Sequence, residues 1–226
     1  VYLTVDCESD IQRELSEFFT FYVPGYKFMP AFRNRMWDGK IRLYSQKTKE
    51  IYFGLYPYII AFAKERGYHI VSGKDVEVDN KVDKEVVTKF SNSLGQKFEA
   101  RDYQIDAIYH SLKYNRALLL SPTASGKSFI IYSLIRYYSH LIKDETNNRI
   151  LLIVPTTSLV EQMYSDFQSY GWNVKKNCHR LYSGYSNQTD KKVLISTWQS
   201  LYKLPKKYFE QFGCVFGDEA HLFKSK

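Results

Sequence analysis

Cys214-Val215-Phe216-Gly217-Asp218-Glu219-Ala220-His221 is the stretch that decides the fold. Its first half is apolar or small without alternation, the pattern of a strand covered on both faces. Two adjacent carboxylates and an imidazole follow where that strand ends. Open parallel sheets gather their ligands at the carboxyl ends of strands. Far upstream, Ser121-Pro122-Thr123-Ala124-Ser125-Gly126-Lys127-Ser128 offers a complementary half. Small residues let backbone N–H groups close on an anion, and a helix N-terminus behind them favours negative charge.

Each motif alone has a plainer reading: a Ser/Gly turn capping a helix, and a solvated acidic turn. Together, in this order, they read as one ATP site. Thr123, Ala124, Ser125, Gly126, Lys127 and Ser128 would hold phosphate. Lys127 would reach the terminal phosphates and the Ser128 hydroxyl would ligate Mg²⁺. Asp218 would hold the same metal through water, and Glu219 would act as general base on the attacking water. His221 would sense or relay the state of the terminal phosphate. The phosphate loop departs from G-x-x-x-x-G-K-[ST] at Ser121.

The bulk properties narrow the rest. The 226 residues suit one large or two small domains, and 44% hydrophobic content supports a packed core rather than disorder. A net charge of +8 points to a polyanionic partner. Aromatics at 17% suit either nucleic-acid stacking or core. Cys7, Cys178 and Cys214 are widely spaced without a C-x-x-C pair, which predicts a reduced cytoplasmic protein without structural zinc. No apolar run is long enough to span a membrane. The chain begins at Val1 without a leader, as a trimmed N-terminus would.

A polar stretch over 91–99 divides two differently patterned regions, giving domains 1–95 and 96–226. The first reads as α+β. A strand over 1–5, a helix from an N-cap at Ser9 through Phe19, and paired strands over 40–44 and 50–53 are expected. Pro57 opens a helix ending near Gly67, and a strand over 68–71 follows. The second region alternates helix and strand. Helices are expected over 102–114, 127–141 and 158–170, and strands over 117–120, 150–154, 193–196 and 214–217. That is an α/β parallel sheet with helices on both faces.

These residues resemble the superfamily 2 helicases, the DEAH-box-bearing RecA-like P-loop motors, over roughly residues 98–226. Arg101-Asp102-Tyr103-Gln104 resembles the Q motif, whose Gln reads the adenine edge; Gln104 takes that role with Arg101 beside it. Pro155-Thr156-Thr157 resembles the start of motif Ia, and Thr197-Trp198-Gln199 the T-x-Q of motif Ib. In the family these loops grip the sugar-phosphate backbone without reading sequence. The plainer alternatives are a helix start capped by Thr156 and a core Trp198. The resemblance implies ATP and Mg²⁺ as cofactors and a second RecA-like domain bearing arginine fingers. No such motifs follow His221, so this stretch alone is expected to hydrolyse ATP barely or not at all.

Phe32-Arg33-Asn34-Arg35-Met36-Trp37-Asp38-Gly39-Lys40-Ile41-Arg42 resembles the N-terminal accessory domain of the UvsW-type phage helicases. The likeness implies a monomeric motor in the host cytoplasm that remodels branched or forked DNA, or RNA–DNA hybrids, in recombination, repair and fork rescue. From Lys27 to Lys49 seven basic residues face one acid, Asp38. Arg33, Arg35, Lys40 and Arg42 would neutralise phosphates, and Trp37, in a turn between strands, would either meet the DNA or anchor the turn. Two rivals stand: another superfamily 2 translocase of restriction or excision-repair type, and a non-catalytic DNA-binding module on a RecA-like fold.

Overall fold

The computed structural model describes residues 2–73, 76, 80–122, 124–142 and 148–223. They form two compact units, Val1–Glu77 and Val78–Lys226.

In the first unit, β1 (Tyr2–Thr4) leads into α1 (Ser9–Phe18), then β2 (Thr20–Tyr22), the short α2 (Pro30–Arg33), β3 (Lys40–Arg42), β4 (Tyr44–Ser45), β5 (Glu50–Tyr52) and α3 (Tyr56–Glu65). β1, β5 and β4 form one antiparallel sheet in that order, with Leu3 opposite Ile51. β2 and β3 form a second, with Phe21 opposite Ile41. The core is Leu15, Phe19, Tyr44, Ile51, Ile59 and Phe62. Each fully buried side chain of this kind contributes roughly 1.5–3 kcal/mol.

The expected hairpin splits. Lys40–Arg42 pairs with Thr20–Tyr22, and Tyr44–Ser45 pairs with β5. The sequence near Thr20 carries too short an apolar pattern to announce a strand. Glu8, not Ser9, is the N-cap of α1, and the Gln12 amide donates to the Cys7 carbonyl instead of closing a capping box. Residues 68–71 form no strand. Trp37-Asp38-Gly39 closes the long excursion from β2 to β3 rather than a tight turn. That excursion is held by Tyr22 stacked on Tyr26, centroids 4.8 Å apart, and Tyr26 edge-on to Phe32 at 4.7 Å. Gly39 sits at φ +79° with its α-carbon against the Tyr26 ring.

The second unit runs α4 (Lys84–Asn92), α5 (Asp102–Tyr114), α6 (Lys127–Leu141), β6 (Arg149–Val154), α7 (Thr157–Ser169), α8 (Val174–Asn177), β7 (Cys178–Leu181), β8 (Val193–Thr197), α9 (Trp198–Leu201) and β9 (Phe212–Gly217). α4 lies between this division and the one read at 95; its Val87 packs with Ile105, Ile108 and Leu112 of α5. Four strands form a parallel sheet in the order β7-β8-β6-β9. Ile150, Leu152, Val193 and Ile195 face Phe129, Tyr132 and Ile135 of α6 and Met163 and Phe167 of α7. Leu151, Leu181 and Leu194 face Leu201 on the other side. Coverage of both faces explains the apolar runs Ile150–Val154 of β6 and Val193–Ile195 of β8.

The strand expected over 117–120 does not form. Leu118 and Leu120 are 79% and 92% exposed. This segment and β9 both line a cleft of about 750 Å³. An apolar run becomes a strand only when a neighbouring backbone pairs with it, and among the described residues this one has no ladder partner.

Gly39→Ala would drive a β-carbon into the Tyr26 ring at a left-handed backbone position. We expect a loss of about 2–4 kcal/mol, checked by thermal unfolding of the first unit's transition.

Candidate functional site

β9 ends by handing its ladder to the site. The Asp218 N–H donates to the Ile153 carbonyl at 2.9 Å, so the carboxylate is fixed at the carboxyl edge of the sheet. Glu219 then turns into the left-handed region, φ +50°, with its N–H on Asp218 Oδ1 at 3.1 Å. From the other side, Lys127 opens α6 and forms an ion pair with Glu219. Lys127, Asp218, Glu219, His221 and Ser121 line the same cleft. The two distant motifs therefore meet.

Electrostatics separate the two acids. Asp218 is 7% exposed, and burial raises its carboxyl above the ordinary aspartate value, against the pull of Lys127. Glu219 is held below the usual glutamate value by its hydrogen bond from Lys127, whose own ammonium is raised by the same contact. His221 is exposed, with Nδ1 3.4 Å from Glu219 Oε2.

The phosphate loop is shaped by two left-handed residues, Ala124 at φ +64° and Gly126 at φ +76°. A β-carbon on Gly126 would overlap the Gln104 amide. Gln104 is buried; its Oε1 accepts from the Arg101 N–H at 3.0 Å and its Nε2 donates to the Ser125 carbonyl at 3.0 Å. Gln104 thus braces the loop. Ser125 Oγ pairs with Ser121 Oγ, so the departure at Ser121 is absorbed into the loop. Ser128 Oγ lies 3.0 Å from the Tyr170 hydroxyl. Thr123 lies outside the described residues.

Two participants escaped the sequence reading. The Tyr103 hydroxyl donates to the Ser125 carbonyl at 2.9 Å and accepts from Arg101 at 3.1 Å. Its place within the Arg101–Gln104 motif was the available signal. Tyr170 had none, because its partner Ser128 stands 42 positions away.

The residues expected at nucleic acid sort into exposed and occupied. Val154 and Thr197 are register partners, so the loops after β6 and β8 leave the sheet side by side. Pro155 is buried; Thr156 caps α7 by accepting from the Leu159 N–H at 3.3 Å, and Thr157 is exposed. Thr197 is buried with its hydroxyl on Ser200, Trp198 is half-buried, and the exposed Gln199 donates to the Pro155 carbonyl at 3.4 Å. Thr197 is therefore a structural anchor here, not an open contact. In the first unit Arg42 is paired with Asp38 at 2.5 Å, and the Trp37 indole donates to the Lys40 carbonyl at 2.9 Å. The Lys40 ammonium lies 4.9 Å from the Tyr22 ring centre. Arg33 and Arg35 are exposed, with no ion pair among the described residues.

A parallel sheet with a phosphate loop and a strand-end Asp-Glu-Ala-His defines a RecA-like P-loop motor domain of superfamily 2. Residues 97–226 match the family model described as type III restriction enzyme, res subunit, and residues 1–73 that described as DNA helicase UvsW, N-terminal. The chain belongs to this res-subunit family, as a UvsW-type member. The ATP-dependent DNA helicase uvsW of Enterobacteria phage T4 is 36% identical over 235 residues, covering 100% of this chain and 46% of that protein. The DNA 3'-5' translocase XPB2 of Sulfurisphaera tokodaii is 25% identical over 137 residues, 59% of this chain and 27% of that protein. A crystal structure of the UvsW helicase from bacteriophage T4 superposes with TM-score 0.86 at 34% identity, covering 99% of this chain and 80% of that one. The chain spans about half the length of the curated T4 relative.

Because the folded state raises the Asp218 pKa, its contribution to stability is full below the ordinary aspartate value and is lost as pH climbs through the raised one. Asp218→Asn should therefore melt higher than the native chain at neutral pH, with the gap closing in acid. Differential scanning calorimetry across that range checks it; a lower neutral melting temperature would contradict the burial argument.

Proposed function

We infer that this chain carries the nucleotide half and the accessory unit of an ATP-dependent DNA helicase. The observation that carries the reading is the meeting of Lys127 with Glu219 beside the buried Asp218. In this arrangement the Glu219 carboxylate stands where Lys127 would meet a phosphate oxygen, so the ammonium already sits in an anion-binding posture. The residues fit ATP with Mg²⁺. Backbone N–H groups around Ala124–Gly126 and Lys127 would hold phosphate, Gln104 the adenine edge, and Asp218 with Ser128 the metal. Bound Mg²⁺ supplies charge neutralisation on the phosphates and raises the acidity of what it binds.

Phosphate entering the loop would take Lys127 and release Glu219. The freed carboxylate, its pKa no longer depressed by that hydrogen bond, becomes a competent general base for water. His221, with Nδ1 3.4 Å from the other Glu219 oxygen, would help hold its orientation. Burial works against the Asp218 carboxylate, so an arriving cation would stabilise it, which couples metal to nucleotide. The exposed Thr157 and Gln199 at the sheet edge, with Arg33, Arg35 and Lys40 of the first unit, would bind DNA backbone. Branched or forked DNA and RNA–DNA hybrids are the substrates the UvsW likeness implies, with the host cytoplasm as the setting and a monomer as the working form.

Lys127→Ala should lose binding of a fluorescent ATP analogue. Glu219→Gln should bind it as tightly as the native chain or tighter, since no carboxylate competes for Lys127. In the polypeptide extended by a second motor domain, Glu219→Gln should cut ATP turnover at least about 100-fold. Weaker analogue binding by Glu219→Gln, or retained turnover, would reassign the base. DNA affinity of the native chain should fall steeply from low to moderate salt, with a slope near −0.9 per phosphate contact.

A further inference from the structure

The excursion between β2 and β3 forms a shallow, open concavity of about 580 Å³, lined by Lys27, Phe32, Arg33, Arg35, Met36, Trp37 and Asp38. Its acid is already neutralised: Asp38 is bound by Arg42 and by the Lys40 N–H. Lys27, Arg33 and Arg35 are left as excess positive charge in a lining that also holds Phe32, Met36 and Trp37. Met36 is 75% exposed, although its thioether has no charge to keep it in water.

The backbone here is built at a cost. α2 ends in a Schellman motif: the Met36 N–H reaches the Ala31 carbonyl and the Arg35 N–H the Phe32 carbonyl. The residue in the left-handed position is usually Gly. Here it is Arg35, at φ +56°. The left-handed turn at Arg35 brings three successive residues, Arg35, Met36 and Trp37, to the lining of the concavity.

We propose that this concavity holds a single nucleotide unstacked from its strand, with its phosphates on Lys27, Arg33 and Arg35 and its base against Met36 and Trp37. The inference rests on the reading that the first unit binds DNA, and it specifies what that unit recognises: a single-stranded interruption rather than continuous duplex. Thioether and indole surfaces accept any base face, so the selection is for an unpaired nucleotide and not for a sequence. A base inside a duplex is already stacked on both sides and does not fit.

The test compares a blunt duplex with the same duplex carrying a short single-stranded gap, by fluorescence anisotropy on the full chain. The native chain should bind the gapped DNA about five- to tenfold tighter. Arg35→Gly and Met36→Ala should each bring that preference close to one. Arg35→Gly should at the same time melt a few degrees higher, because glycine adopts the left-handed position freely. Equal weakening on both DNAs would make Arg35 an ordinary phosphate contact and overturn the nucleotide site while leaving DNA binding by the first unit intact. Unchanged preference in both variants would overturn it as well. If Arg33→Ala and Lys40→Ala also left every affinity unaltered, the DNA-binding reading of the unit would fall with it.

Discussion

One backbone hydrogen bond, from the Asp218 N–H to the Ile153 carbonyl, fixes the candidate site of this chain against the sheet. It extends the β6–β9 ladder by one step beyond β9, so Asp218 inherits the rigidity of the sheet. The residue after it leaves the ladder at once, and Glu219 swings across to Lys127. A buried carboxylate held by the sheet and a movable one held by an ion pair have opposite electrostatic tendencies: one is pushed up by desolvation, the other down by a cation. Neighbouring acids with separated pKa values can take separate roles, one for metal and one for proton transfer.

The parallel sheet was legible because its two central strands are buried on both faces, which leaves an apolar signature in 150–154 and 193–195, whereas β9 at the edge leaves Val215 exposed, against the two-sided burial its sequence suggested. The helices 102–114 and 127–141 were legible to the residue, since each begins beside a motif that demands a helix N-terminus. The first unit was less so. Its strands are short, and the partner of Lys40–Arg42 lies across the excursion at Thr20–Tyr22, a pairing set by tertiary contacts and not by local pattern. The segment 117–120 failed for the complementary reason: its composition is right for a strand, but composition supplies no partner backbone. At the site, motif residues were found wherever chemistry restricts residue type. Tyr103 and Tyr170 were missed because any residue offering a hydroxyl at the right distance would serve, and only the fold measures that distance.

Left-handed residues other than glycine are few, and their placement is informative. Lys49 and Asn115 occupy ordinary positions, a turn before β5 and the C-cap of α5. Ala124, Glu219 and Arg35 occupy the phosphate loop, the carboxylate that answers it, and the rim of the basic concavity. At each of these three a glycine would relieve about 1–2 kcal/mol of backbone strain. For Glu219 and Arg35 the glycine would also delete the side chain the strain positions. Strain retained where a side chain is aimed at a site differs from strain in a connecting turn, because it is maintained against an easy remedy.

Ala124 separates these cases, because its side chain has no chemistry to lose. Its methyl group keeps the phosphate loop in one of the conformations an L-residue tolerates, whereas a glycine would admit many in the unfolded and the phosphate-free states. The loop is braced from behind by Gln104 and Tyr103, both on the Ser125 carbonyl, and across by the Ser121–Ser125 hydroxyl pair. A loop so held does not depend on glycine freedom at its first position to reach its shape. Ser121 there is then consistent with an anion site, in which side-chain bracing replaces the backbone latitude that a glycine would use.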